Sequence, residues 1–341
     1  MKTFWMIYRA PAKYLMYSVP LTLLIGFIVG LNFDTTPMKS TLLIGTIIMI
    51  YATMVGFNFK QLASTAGSKV LIFSVIINFV IIPVIAFGLG TLLLTGRADN
   101  GAMFAGLAIS ALLPTSGMTI SWTVLQKGNV DAAVKLTIFG LILGSLLAPW
   151  YLLVMVGQYV PIDIWGTMKT ILLVVFVPMI LGHFTFKLLL RKMTPQHFKK
   201  NVKPKFGPLS IWAMLYVVFV SISTGAKMIV SNLELIAIAV VVLLLFYAIN
   251  FAISTFVALK FFNREDGIAL VNGTVLRNLS IAIGLAATSF GPEAALIVTL
   301  AFIIQQQGIA NYAQISMRKW FKPIKKQTTK KNIQENTQTI S

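Results

Sequence analysis

The chain has 341 residues, of which 57% are hydrophobic and only 11% charged, with a formal net charge of +19 and no cysteine. So apolar a composition excludes an ordinary soluble domain and calls for a membrane protein. The missing thiols exclude disulfides, thiolate metal sites and cysteine nucleophiles.

A helix needs roughly 20 apolar residues to cross a hydrocarbon core of about 30 Å. Ten such runs are predicted, with cores at 15–31, 40–57, 69–95, 101–124, 132–156, 165–187, 208–230, 233–260, 267–289 and 292–316. The first is not a cleaved leader, since no small-residue cleavage site and soluble chain follow it. Run three carries Asn78 in "INFVI". Run four reads "LLPTSGMTISWT", where Pro114 removes a backbone donor and Gly117 tolerates non-helical angles, beside Thr115, Ser116, Thr119 and Ser121. Run five begins Asp131-Ala132-Ala133 and places Lys135 and Thr137 one to two turns in; Asp131 and Lys135 have the spacing of a helical ion pair. His183 lies near the end of run six and reads as structural. Run eight repeats the third run's motif as "INFAI" with Asn250. Run nine is "NGTVLRNLS", with Asn272, Gly273, Thr274, Arg277, Asn278 and Ser280. Run ten holds Gln305, Gln306 and Gln307, which cannot all face one side of a helix. The residues after Met317 form a basic, polar tail expected to be disordered.

The charge is distributed rather than clustered for nucleic acid. With both termini placed in the cytoplasm, 22 Lys and Arg fall on that side and four, Lys39, Arg97, Lys169 and Lys227, on the other. This is the positive-inside pattern, giving an even number of spans and basic segments that meet anionic headgroups of the lipid bilayer. No nucleic-acid partner is expected.

Three motif pairs keep their order along the chain. "INFVI" and "INFAI" are offset by 172 residues, "ADNG" ending at Gly101 and "REDG" ending at Gly267 by 166, and Asp131…Thr137 and Glu293…Thr299 by 162. They predict a duplicated five-span unit, residues 1–160 and 161–316, the second copy entering the membrane from the opposite side. Inverted repeats of this kind build secondary transporters, with the site at midplane on interrupted helices, and the interruptions fall in corresponding runs, four and nine. An arginine at a span centre costs from about 3 to over 10 kcal/mol and faces a partner or a cavity. The nearest acids, Glu265 and Asp266, are about 16 Å away along a helix. Arg277 either binds carbonyls freed by the broken helices or, with Lys135, meets an anionic substrate, which a guanidinium holds bidentately. The candidate substrate residues are Arg277, Asn278, Ser280, Asn272, Thr274, Thr115, Ser116, Thr119 and Lys135. No metal or catalytic constellation is found: HExxH, an in-span aspartate pair, a Ser/His arrangement and the GxxxxGK[ST] loop of primary pumps are all missing from the sequence. Two broken helices in inverted halves also differ from the recurring polar stripe of a channel.

"NFVIIP" at 78–83, "LLPTSGMT" at 112–119, "KGNVDAAVKLT" at 127–137 and "RNLSIAIGLA" at 277–286 resemble the bile acid:sodium symporter superfamily, which includes the arsenical-resistance exporters. The resemblance implies an all-α membrane protein of ten helices in two inverted five-helix repeats. Its core domain is built on crossed broken helices four and nine, and its panel domain on spans one, two, six and seven. It implies a multi-pass protein of the cytoplasmic membrane carrying a small organic anion, no cofactor, and Na+ or H+ as coupling ion. Ion coupling then falls on Asn78, Thr137, Asn278, Gln305 and Gln306. Ile120 stands where symporters carry asparagine, Ala133 where they carry serine, Gly273 where they carry an acid and Arg277 where they carry glutamine. Of the arsenite exporters' signature, the fourth-span cysteine is missing and Ser280 stands in place of a glutamate; arsenite or oxyanion efflux is the alternative reading. A fixed cation in place of mobile sodium is expected to make transport a uniport, an exchange or proton-linked.

Overall fold

The computed structural model describes residues 2–56, 68–95, 101–115, 117–159, 164–231 and 233–322; the candidate Ser116 and most of the basic tail lie outside them. The described residues are almost wholly helical. In chain order the helices are α1 (Lys2–Lys13), α2 (Leu15–Asn32), α3 (Leu42–Met54), α4 (Ser68–Ile76), α5 (Ile82–Leu93), α6 (Gly101–Leu112), α7 (Gly117–Leu125) and α8 (Val130–Val156). They continue as α9 (Ile164–Ile171), α10 (Val177–Lys192), α11 (Pro195–His197), α12 (Lys203–Ser231), α13 (Leu233–Phe261), α14 (Arg264–Val275), α15 (Leu279–Ser289) and α16 (Pro292–Lys319). Among the described residues, six helical stretches are long and apolar enough to cross a membrane, and a seventh is counted if α1 and α2, bent 96° to each other, form one span. Leu92, Val154 and Val84 lie 81%, 76% and 65% exposed; on helices this apolar, such outward faces suit hydrocarbon and not water.

Prolines explain where regular helix fails. Five-residue π-helical stretches join α4 to α5 (Ile77–Ile81) and α9 to α10 (Leu172–Phe176). Each ends two residues before a proline, Pro83 and Pro178, whose ring has no N–H and crowds the carbonyl four residues back. At the first site that carbonyl is Phe79 O, and the Tyr151 hydroxyl on α8 donates to it. The widened turn carries Asn78.

Contacts sort the chain into two ends. At one end the Tyr8 hydroxyl donates to Lys205 O, Lys69 Nζ to Phe261 O, and Arg264 to the carbonyls of Gln126, Lys127 and Phe321. Arg264 thus places its cation on the carboxyl ends of α7 and α16, where the helix dipole favours it. The opposite end holds Lys39, Thr170, Thr224 and Gly291 around one cavity.

Helices approach closely where glycine permits it, the usual device where lipid supplies no hydrophobic drive. A Cβ on Gly30 of α2 would lie 2.0 Å from Ser223 O of α12, and one on Gly106 of α6 would lie 2.5 Å from Ala294 O of α16. Backbone cannot yield as a side chain can. Gly30→Ala and Gly106→Ala are therefore expected to cost about 1–3 kcal/mol each, read as a lowered Tm in detergent. Gly88→Ala, which meets nothing within 4 Å, leaves Tm unchanged or slightly raised.

Candidate functional site

Runs four and nine are both interrupted, and the interruptions meet. The α6–α7 break leaves Leu113, Pro114 and Thr115 out of the helix, and the α14–α15 break leaves Leu276, Arg277 and Asn278. Pro114 and Arg277 form an antiparallel bridge: the Thr115 amide donates to Leu276 O (2.9 Å) and the Asn278 amide to Leu113 O (2.8 Å). Thr115 takes φ 62°, a left-handed conformation that a β-branched residue adopts only under constraint. Its amide is held by the bridge, and its hydroxyl lies within hydrogen-bonding reach of Pro114 O (2.6 Å) and of Leu136 O and Thr137 O on α8 (3.3 Å each). Room for this comes from α8, where a Cβ on Gly140 would sit 2.5 Å from Thr115 Oγ1 and one on Gly144 2.9 Å from Pro114 Cδ.

Arg277 is 1% exposed. Its Nη1 donates to Asn78 Oδ1 at 2.9 Å, while Asn78 Nδ2 donates to Ser74 Oγ (2.9 Å) and to Gly273 O (3.0 Å). The side-chain amide of Gln305 on α16 clamps the backbone of the same arginine, accepting from its N–H (2.7 Å) and donating to its carbonyl (3.3 Å). The Tyr247 hydroxyl donates to the same Gln305 oxygen at 3.1 Å. Arg277 Nε and Nη2 are buried without a hydrogen-bond partner among the described residues, as are both amide atoms of Asn250.

The other predicted residues divide by their contacts. Thr119 donates to Asn272 O (3.3 Å) and Asn272 Nδ2 to Thr123 Oγ1 (3.1 Å), tying α7 to α14. Asn278 caps α15 by accepting from the Ile281 amide. Thr137 donates to Ala133 O within α8, and Thr299, its counterpart on α16, donates to Ala295 O. Lys135 is 5% exposed on α8 and immediately precedes Leu136 and Thr137, whose carbonyls face Thr115. Thr274 turns away to Ser254 of α13, Ser280 reaches Met214 Sδ on α12, and Gln306 reaches Met118 Sδ. These three stand apart from the guanidinium.

Sequence reasoning missed Tyr247 and Ser254. Their signal was present: with Asn250 they form an i, i+3, i+7 polar stripe on the otherwise apolar α13. Chemically, the crossing joins a buried cation to the amino-terminal ends of α7 and α15, whose free N–H groups favour negative charge, and to the carbonyl ends of α6 and α14.

Residues 43–232 match the family described as the Sodium Bile acid symporter family. Among curated proteins, the uncharacterized protein YbaS of Bacillus subtilis is 25% identical over 278 residues, covering 80% of this chain and 88% of that protein. The arsenical-resistance protein Acr3 of Corynebacterium glutamicum is 21% identical over 264 residues, covering 74% of this chain and 70% of that protein.

Asn78→Ala removes the acceptor from Arg277 Nη1 and is expected to destabilise the protein by about 2–4 kcal/mol, because a buried charge loses its hydrogen bond. Asn78→Ala combined with Arg277→Met costs less than the two single changes summed. A double-mutant cycle by denaturation in detergent measures the coupling, expected at about 1.5 kcal/mol or more.

Proposed function

The chain belongs to the sodium bile acid symporter family of membrane transporters, and from that premise we propose that it carries a small organic anion across the cytoplasmic membrane by alternating access. Ten spans in two inverted repeats, with both termini cytoplasmic, form the frame of this reading. The α6–α7 and α14–α15 pairs are its crossed helices, and α2, α3, α9–α10 and α12 its panel. The observation that carries it is the buried Arg277 guanidinium, whose Nε and Nη2 have no partner among the described residues. Residues 268–289 around it contain no acid, and its bonded partner is the neutral amide of Asn78. A cation so held attracts an anion, and a guanidinium suits carboxylate, sulfonate or phosphate oxygens.

The same contact bears on coupling. A bound sodium ion needs several oxygen ligands, and Asn78 Oδ1 is already given to Arg277. Gly273 beside it brings no carboxylate. The fixed cation takes the electrostatic role of the mobile one, so that transport is sodium-independent and runs as uniport, exchange or proton-linked movement. Arsenite efflux is the second reading; it draws on the Acr3 relative.

Reconstituted liposomes separate these readings with labelled pyruvate, taurocholate and arsenite. Carboxylate uptake is expected to change less than about twofold when sodium replaces potassium. It should fall at least about tenfold in Arg277→Gln, with only partial recovery in Arg277→Lys, which keeps the charge but loses the fork. Steep sodium dependence refutes the fixed-cation reading, and transport of arsenite alone favours the second.

A further inference from the structure

The end of the molecule opposite the Arg264 contacts contains a cavity of about 320 Å³, bounded by Lys39, the start of α3, α9, α12, the end of α15 and the start of α16. It is separate from the crossing. Asn278 and Thr288 are ten residues apart on α15, roughly 15 Å along its axis. Between them Gly284 packs so closely on Thr46 of α3 that a Cβ would lie 2.2 Å from Thr46 Cγ2.

The chemistry of this cavity has a sign. Lys39 is the charged residue in its lining, and it forms no ion pair among the described residues. The acid nearest in sequence, Asp34, is engaged elsewhere: the hydroxyl and amide of Thr36 hold its carboxyl below the usual range, with Lys227 adding to the effect. Thr170, Thr224 and Thr288 donate their hydroxyl protons to carbonyls of their own helices. Ser221 differs. It is 1% exposed, lines the cavity, and its Oγ has no hydrogen-bond partner among the described residues. Gly291 and Pro292 bring the amino-terminal end of the 28-residue α16 to the same wall, where unpaired N–H groups favour an anion. A Cβ on Gly291 would lie 3.4 Å from Glu293 Oε2, so an anion is repelled from that wall and favoured toward Lys39 and Ser221.

We infer that this cavity is an anion-binding site, taking a small carboxylate or sulfonate between the Lys39 ammonium and the Ser221 hydroxyl. Its use as a waiting position, held off from Arg277 by the Gly284–Thr46 contact, rests on the transport reading above; the binding chemistry does not.

The absence of native cysteine makes the test direct. Ser221→Cys and, separately, Thr288→Cys are introduced and reconstituted in vesicles with this face outward. They are then treated with negatively charged sulfonatoethyl or positively charged trimethylammonioethyl methanethiosulfonate, each rate normalised to that reagent's rate with free mercaptoethanol. The anionic reagent is expected to react about tenfold faster at either cysteine, and Lys39→Gln should abolish the preference. Equal or reversed rates, a preference untouched by Lys39→Gln, or no reaction at either position overturns the assignment. If Ser221→Cys does not fold, Thr288→Cys carries the same reading. Loss of anion uptake with the labelling preference intact would remove the transport reading and leave the site; uptake without the preference would remove the site alone.

Discussion

In hydrocarbon, a helix can be interrupted only where the backbone groups it releases are paired, since each orphan costs several kcal/mol. Everything at the centre of this protein follows from how two interruptions answer each other. The Thr115 amide takes the Leu276 carbonyl and the Asn278 amide takes the Leu113 carbonyl. Neither break is satisfied alone. Gly140 and Gly144 on α8 make room for the bridge, Thr115 accepts an unfavourable φ to complete it, and Gln305 closes it from the α16 side. The place of Arg277 is a consequence of that geometry: it is the residue bridged to Pro114.

The arginine is then neutralised only in part. Its acceptor is an amide oxygen on a π turn that Pro83 forces into the α4–α5 span, so a helix defect in one segment supplies the partner for a residue at the defect of another. The carbonyl of Gly273, near the carboxyl end of α14, polarises that same amide through Asn78 Nδ2. Dipoles can offset a buried charge without cancelling it. A guanidinium compensated by a formal carboxylate would have little attraction left for a ligand. One compensated by amides and helix ends keeps its positive field, and this bears more directly on an anionic substrate than the size of any cavity.

Much of this was legible in the sequence, for reasons that can be named. Helices occupy the segments marked by apolar runs, because length and hydropathy are local properties. Pro114 with Gly117, and Asn272-Gly273 with Arg277, mark the two interruptions because breaks in apolar helices carry their own chemistry. Asn78 was found through its repeat of "INFAI". The guanidinium's surroundings were not legible. The sequence offers Arg277 either freed carbonyls or an anionic substrate, whereas the structure seals the group at 1% exposure and hands it to the side-chain amide of Asn78, 199 positions away. The Gln305 clamp, the Tyr247 hydroxyl and the Arg264 staple are likewise bonds between residues far apart in the chain. Single-sequence periodicity reports which face of a helix is polar, but not which helix it meets.

The kind of contact also changes across the molecule in a way that suits the proposed motion. Around the crossing, side-chain hydrogen bonds join α4–α5, α7, α14, α13 and α16: Asn78 to Gly273, Asn272 to Thr123, Thr274 to Ser254, Tyr247 to Gln305. A second set joins the proposed panel, with Ser210 donating to Met49 O, Tyr216 paired with Thr41 and Tyr51 with Thr185. Where α15 meets α3 and α12, the contacts are Gly284 against Thr46 and the Ser280 hydroxyl against a thioether. Such contacts can be broken and remade by sliding, because a soft sulfur acceptor and van der Waals packing tolerate changes of register that a buried amide network does not. In the transport reading proposed above, the surface of division runs along α15, with the helix breaks at one end of that helix and the Lys39 cavity at the other.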